Sequence, residues 1–91
     1  MTTTKENIKR LISDGNLQDA ISQLDGLIGE SCKDDELYYL RGNAYRKLCN
    51  WQLALNNYLE AISLNPESPA AEAHRMLMEI LEFYNKDMYN Q

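Results

Sequence analysis

The sequence contains a weak internal repeat with a period of 34 residues. When the chain is shifted by this distance, residues 16–21 (NLQDAI) fall over residues 50–55 (NWQLAL), and the asparagine, glutamine and alanine of the two segments coincide. Ile28 and Ile62 coincide farther along. A fixed period of roughly 20–50 residues is typical of architectures in which one small motif stacks on the next. The repeat therefore predicts a stack of similar units within one domain.

Residues that start and stop helices fall in the same register. Gly15 follows the first apolar-periodic segment, and glycine readily takes the left-handed conformation at a helix end. Asn16 and Asn50 stand where the second helix of each unit should be capped. Ser68 and Pro69 are typical of a helix start. The sequence predicts an all-α fold of five helices joined by short turns and packed antiparallel; the predicted helices span about 4–14, 17–29, 35–48, 51–64 and 69–87.

The second unit resembles the tetratricopeptide repeat, a hairpin of two helices with small and aromatic residues at fixed positions. In the resembled pattern, Gly42 and Ala54 let the two helices cross closely. Two positions depart from it: Arg41 replaces a leucine and is expected to keep its charge in water, and Cys49 replaces the glycine of the turn. The residues that match the pattern are Tyr38, Gly42, Tyr45, Ala54, Tyr58, Ala61 and Pro66.

The resemblance implies tandem antiparallel helical hairpins, an α-solenoid, over the whole chain. Residues 1–33 resemble a degenerate first repeat, and residues 35–68 are the well-matched repeat. Residues 69–91 resemble the first helix of a third repeat, which would act as a cap over the last apolar face. We therefore expect a single domain over residues 1–91.

Composition and charge argue against several other functions. The net charge of −5 does not suit a protein that binds nucleic acid or anionic lipid through a basic surface. The sequence has no phosphate-binding loop, no paired histidines or cysteines and no convincing nucleophile–base pair, so we expect no enzyme activity, metal or cofactor. The segment MTTTKE at the start lacks the apolar core of a signal peptide. If the chain is complete, a cytoplasmic protein with reduced cysteines is expected.

The family resemblance implies that the first helix of each hairpin lines a concave groove where peptides bind. Basic residues concentrate on these helices and are absent from the second helices of both hairpins. The first hypothesis is therefore a protein-interaction module whose groove binds a peptide or partner protein, with an acidic segment as the ligand. The alternative is that these cations only complement helix dipoles and aid solubility. The predicted partner-binding residues are Lys5, Lys9, Tyr39, Asn43, Arg46, Lys47 and Leu77.

The last predicted helix is apolar around much of its circumference, which is more than a cap requires. Its methionines are interpreted either as a soft interaction surface or as filling of the core. A second apolar face would need a partner, and another copy of the chain is one choice. The second hypothesis is therefore a self-associating structural or scaffold protein that forms a homodimer through Phe83, Tyr84, Met88 and Tyr89.

Overall fold

A computed structural model describes residues 4–89 of the chain, with side chains described over residues 4–83. Within this part the fold is all-α, as predicted. No helix there is long and apolar enough to cross a membrane. Every predicted helix is present, with bounds within two residues of those expected. In chain order the helices are α1 (Thr4–Asp14), α2 (Leu17–Glu30), α3 (Asp35–Lys47), α4 (Trp51–Leu64) and α5 (Ala70–Tyr89).

The turns of the two hairpins have the same backbone geometry. Gly15 ends α1 with φ of 86°, and Cys49 follows α3 with φ of 63°. The next residues, Asn16 and Asn50, each donate a backbone N–H to the carbonyl five residues earlier, at 2.8 and 2.9 Å. This is the hydrogen bond that closes a helix whose end is left-handed. Cys49 therefore occupies the glycine position of the turn in the conformation that glycine favours.

Side-chain caps begin three of the helices. Asp34 accepts a hydrogen bond from the amide of Glu36 at 3.1 Å, and Asn50 accepts one from Leu53 at 3.4 Å. Ser68 caps the start of α5 in the same way, at 3.1 Å from the nitrogen of Ala70. The prediction for Asn16 was wrong, because its side chain makes no capping bond to α2.

The helices stack in one direction, and their buried faces form one core. The largest interface joins α3 to α4, while α2 packs on α3 and α4 packs on α5. Burial of these apolar faces is the main source of stability in such a stack. The buried apolar residues are Ile8, Ile12, Ala20, Ile21, Leu24, Ile28, Leu37, Tyr38, Leu40, Ala44, Ala54, Tyr58, Ala61, Ala70 and Leu77.

The crossing of α3 and α4 depends on Gly42. A Cβ atom at this position would lie 2.6 Å from Cε1 of Tyr58 and 3.3 Å from the carbonyl oxygen of Ala54. The ring of Tyr58 therefore fills the space that a side chain on Gly42 would need. The predicted role of Gly42 in a close helix crossing is confirmed.

Arg41 joins three helices. Its Nε donates to Oδ1 of Asn57 on α4 at 2.7 Å, and its Nη1 lies 2.8 Å from a carboxylate oxygen of Asp25 on α2. The guanidinium also lies 5.6 Å from the ring centroid of Tyr38. The side chain is 22% exposed, and its bond to the half-exposed Asp25 lies at the surface, so the stem is packed while the charged end is paired at the edge of the solvent. The polar residue at this position ties the first hairpin to the second.

Candidate functional site

Three adjoining hollows form a groove along α1, α3 and α5, and Tyr39 borders all three. The cavity between α3 and α5 has a volume of about 320 Å³, and the hollow between α1 and α3 has about 350 Å³. The third hollow, of about 500 Å³, lies at the start of α1 and α3. The cavity between α3 and α5 is lined by Tyr39, Asn43, Arg46, Pro69, Glu72, Ala73, Met76, Leu77 and Ile80.

The residues predicted for partner binding all border these hollows, although their binding role stays a prediction. Lys5 and Lys9 lie at one end, and Arg46 and Lys47 lie toward the other. Leu77 differs from the rest because it is only 2% exposed. Its side chain packs α5 onto the core, so it contributes the floor of the cavity and offers little surface to a ligand.

Tyr58 contacts two residues that border the groove, Asn43 and Tyr39. Its hydroxyl donates to Oδ1 of Asn43 at 2.6 Å, and its ring centroid lies 6.2 Å from that of Tyr39. Burial raises the pKa of Tyr58, and the nearby Arg46 guanidinium opposes this rise. The hydroxyl therefore remains a donor at neutral pH and fixes the Asn43 amide. The sequence identified Tyr58 only as a packing residue, because a bond to the preceding helix leaves no trace in the sequence.

The lysines at the start of the groove are paired with carboxylates. Lys5 Nζ lies 2.8 Å from Asp34 and 3.0 Å from Glu36, and Lys9 Nζ lies 3.3 Å from Glu36. Hydrogen bonds to Asp34 and then Glu36 raise the pKa of Lys5, while the bond from Lys5 lowers the pKa of Glu36. Asp35 borders the same hollow. The groove was predicted to be locally basic, and at this end its lysines are paired with acidic residues at the start of α3.

Positive charge remains at the other end of the groove. Lys47 donates a hydrogen bond from Nζ to the carbonyl oxygen of Ile12 at 3.1 Å, which places a cation at the end of α1. Arg46 borders the cavity between α3 and α5, and no carboxylate of the described residues forms an ion pair with it. Glu72 lies across the same cavity but is paired with Arg75 on its own helix. The unneutralised cation of this cavity is therefore Arg46.

The outer surface of α5 exposes several large apolar side chains between charged ones such as Arg75 and Glu79. Met76, Met78, Ile80 and Phe83 are between 46% and 64% exposed. Of these, Met76 and Ile80 also border the cavity beside Arg46. Met76 was not assigned to the groove from the sequence. The side chains of Tyr84, Met88 and Tyr89, predicted for self-association, lie outside the described residues.

Within the described residues, no group of three or more histidine, cysteine, aspartate or glutamate side chains could hold a metal ion. Cys32 and Cys49 are exposed free thiols.

The comparisons with known proteins agree with this architecture. Residues 36–68 match the tetratricopeptide repeat family. The solution NMR structure of a Bacteroides fragilis protein is similar to the chain, with a TM-score of 0.87 and 53% sequence identity over 99% of this chain and 92% of that protein. A search of curated proteins found no significant match. Tetratricopeptide repeats generally mediate protein–protein interactions, and the family is non-catalytic. The chain belongs to the tetratricopeptide repeat family.

Proposed function

We propose that this protein is an interaction module that binds a segment of a partner protein in the groove along α1, α3 and α5. The observation that carries the proposal is the cavity of about 320 Å³ between α3 and α5. It combines exposed apolar side chains with a few fixed polar groups, which is the usual composition of a site that orients a ligand. Interaction with other proteins is also the general role of the family.

The polar and apolar parts of the cavity have separate tasks in this proposal. Met76 and Ile80 are each about half exposed, so a bound apolar side chain would remove their surface from water. Asn43 is held by the hydroxyl of Tyr58, so its amide is already oriented before a ligand arrives. A group fixed in advance loses less conformational entropy on binding. Tyr39, which borders all three hollows, offers an aromatic contact at their junction.

Photo-crosslinking tests this proposal with a matched pair of positions. Met76 in the groove and Leu59 on α4 are both 51% exposed, and both are apolar. A photoreactive amino acid is placed at one position or the other in the full chain, which is then irradiated in lysate from the source cells. We expect a protein crosslinked through a defined peptide at position 76 and not at position 59. Equal crosslinking at both positions, or none at position 76, would contradict binding in the groove.

A second candidate function is self-association through α5, which the exposure of Phe83 favours. This side chain is 64% exposed, and it borders one shallow depression of the helix surface together with Met76, Ile80 and the ion-paired Glu79. Two copies would bury these side chains against each other. Sedimentation equilibrium over a range of concentrations tests this, with Phe83→Glu as the variant. A wild-type chain that remains monomeric at all concentrations excludes the homodimer, and Phe83→Glu should leave binding in the groove unchanged.

The domain division and the cellular location are part of the same proposal. In this proposal, one domain spans residues 1–91. It consists of a degenerate first repeat over residues 1–33, the second repeat over residues 35–68 and a cap over residues 69–91. Two exposed free thiols suit a reducing compartment, so we place the protein in the cytoplasm. Limited proteolysis should leave a single stable core, and separate stable fragments from the two hairpins would contradict one domain.

A further inference from the structure

We propose that the groove selects a partner segment in which a carboxylate lies next to an apolar side chain, with the carboxylate bound by Arg46. This inference rests on the proposed function, because it assigns a ligand chemistry to the same cavity. It narrows the hypothesis of an acidic ligand to the end of the groove that contains Arg46.

The first step is the uneven charge of the groove. At the end near the start of α3, Lys5 and Lys9 already share two carboxylates, Asp34 and Glu36, at 2.8–3.3 Å. An anionic ligand there would have to displace these ion pairs and would meet the repulsion of Asp35, which borders the same hollow. That end of the groove therefore does not select anions.

The second step is the position of Arg46. Its guanidinium borders the cavity between α3 and α5 and forms no ion pair with a described carboxylate, although the protein is acidic overall. The acidic group opposite it, Glu72, is engaged by Arg75 through two hydrogen bonds. A guanidinium presents donors in a fixed planar fork that matches a carboxylate. The cavity thus offers an unmatched cation to a ligand, and the complementary charge is a carboxylate.

The third step is the apolar wall beside this cation. Met76 and Ile80 border the same cavity as Arg46 and expose about half of their surface. Methionine is flexible and adapts to side chains of different shapes. An aliphatic or aromatic side chain of the ligand can pack on this wall while its neighbouring carboxylate reaches Arg46. The cavity volume of about 320 Å³ accommodates one such side chain and its neighbour, and not a folded domain.

A displayed library of random peptides, selected on the full-length chain, tests this inference. We expect enriched peptides with Asp or Glu within about two residues of an aliphatic or aromatic residue. Replacing that acid by its amide should weaken binding to the wild-type protein about tenfold, which is typical for loss of a charge-assisted hydrogen bond. In Arg46→Gln, the acid and amide peptides should bind equally. Arg10→Gln is the matched control, because Arg10 is an exposed arginine of α1 that borders none of the three hollows.

The outcomes separate this inference from the proposed function. If selected peptides bind the wild type but not Met76→Glu, and yet the acid and amide forms bind alike, the groove is a binding site and the carboxylate preference is wrong. Enrichment of Lys or Arg in the peptides would overturn it too, as would an acid preference that survives in Arg46→Gln. If no peptide is enriched, or if Met76→Glu binds the same peptides equally well, groove binding itself is refuted. Circular dichroism of each variant confirms that it remains folded.

Discussion

Gly42→Ala should destabilise the protein, although alanine is the better helix former. The new Cβ would lie 2.6 and 2.7 Å from two ring carbons of Tyr58, whereas carbon atoms in contact prefer about 3.5–4.0 Å. The ring would have to retreat by roughly 1 Å. It has no free space, because Tyr58 is fully buried and its hydroxyl is fixed on Asn43 at 2.6 Å.

The expected size of the effect follows from two opposing terms. Overpacking of a filled core costs about 1–3 kcal/mol, while replacing glycine by alanine inside a helix returns about 1 kcal/mol. If the retreating ring also loses its bond to Asn43, about 1 kcal/mol more is lost. We expect a net loss of about 1–2 kcal/mol, which lowers the melting temperature of a domain of this size by roughly 5–15 °C.

Gly26 and Gly29 provide matched controls in the same chain. Both lie in α2, and a Cβ at either position would meet no atom within 4 Å. Gly26→Ala should therefore show the propensity gain alone, a stabilisation of about 0.5–1 kcal/mol. The free energies of unfolding of the wild type, Gly42→Ala and Gly26→Ala are measured by urea titration, with circular dichroism as the signal. If Gly42→Ala is as stable as the wild type with an unchanged urea dependence, the argument from the close crossing is wrong.

A second substitution identifies the clash itself. Tyr58→Leu removes the ring atoms that the new Cβ would meet. In that background Gly42→Ala should cost little or become stabilising, so the two changes should be non-additive by about 1–2 kcal/mol. Additive effects would mean that Gly42 acts through something other than contact with Tyr58.

The remaining predictions concern polar contacts and turns. Arg41→Leu should lower the free energy of unfolding by about 1–3 kcal/mol, because it leaves the amide oxygen of the buried Asn57 without its donor. A second change, Asn57→Leu, should recover part of this loss. Equal stability of the single and double variants in urea titration would contradict the argument. Lys5→Gln should raise the pKa of Glu36, measured by NMR, because the Lys5 bond lowers it. The lowered pKa of Glu36 stabilises the folded wild-type protein above the ordinary carboxyl pKa, and this stabilisation is lost as the pH falls. The variant should therefore be about 0.5 kcal/mol less stable than the wild type at pH 7 and equally stable in acid. Cys49→Gly should stabilise the protein by about 0.5–1 kcal/mol. A non-glycine residue at φ of 63° costs about 1–2 kcal/mol, and the greater freedom of glycine in the unfolded chain cancels part of the stabilisation that its removal brings. A lower melting temperature of the variant would refute this.

The sequence predicted the helices well because their limits depend on local chemistry. Gly15 and Asn50 act within one turn of their own position, and the structure shows the turn and the cap that these residues favour. The 34-residue register then placed the two hairpins, since Asn16 and Asn50, and Ala20 and Ala54, coincide in it. The failure at Asn16 shows the limit of such reasoning, because a favourable residue type does not fix the side-chain torsion that a cap needs.

The charge pattern of the groove was harder to predict, because it depends on residues far apart in the sequence. Lys5 meets Asp34 only through the packing of α1 beside the start of α3, and Arg41 meets Asp25 only through the packing of α2 on α3. The cations could be assigned to the first helices of the hairpins from the sequence, but which of them would be neutralised could not. Arg46 emerged as the unpaired cation of the cavity only when these contacts were known.

Met76 borders the groove and is the residue of α5 that corresponds to Gly42 of α3. This residue stands 34 residues after Gly42, in the register of the internal repeat. At Gly42 the absence of a side chain lets α4 cross α3 so closely that the ring of Tyr58 occupies the Cβ position. Met76 leaves no room for a crossing of α5 as close as that of α3 and α4. A large residue at this position does not by itself prevent a hairpin, because the equivalent residue of α1, Ile8, is fully buried and α2 still packs on α1. The side chain of Met76 is instead 51% exposed and borders the cavity beside Arg46.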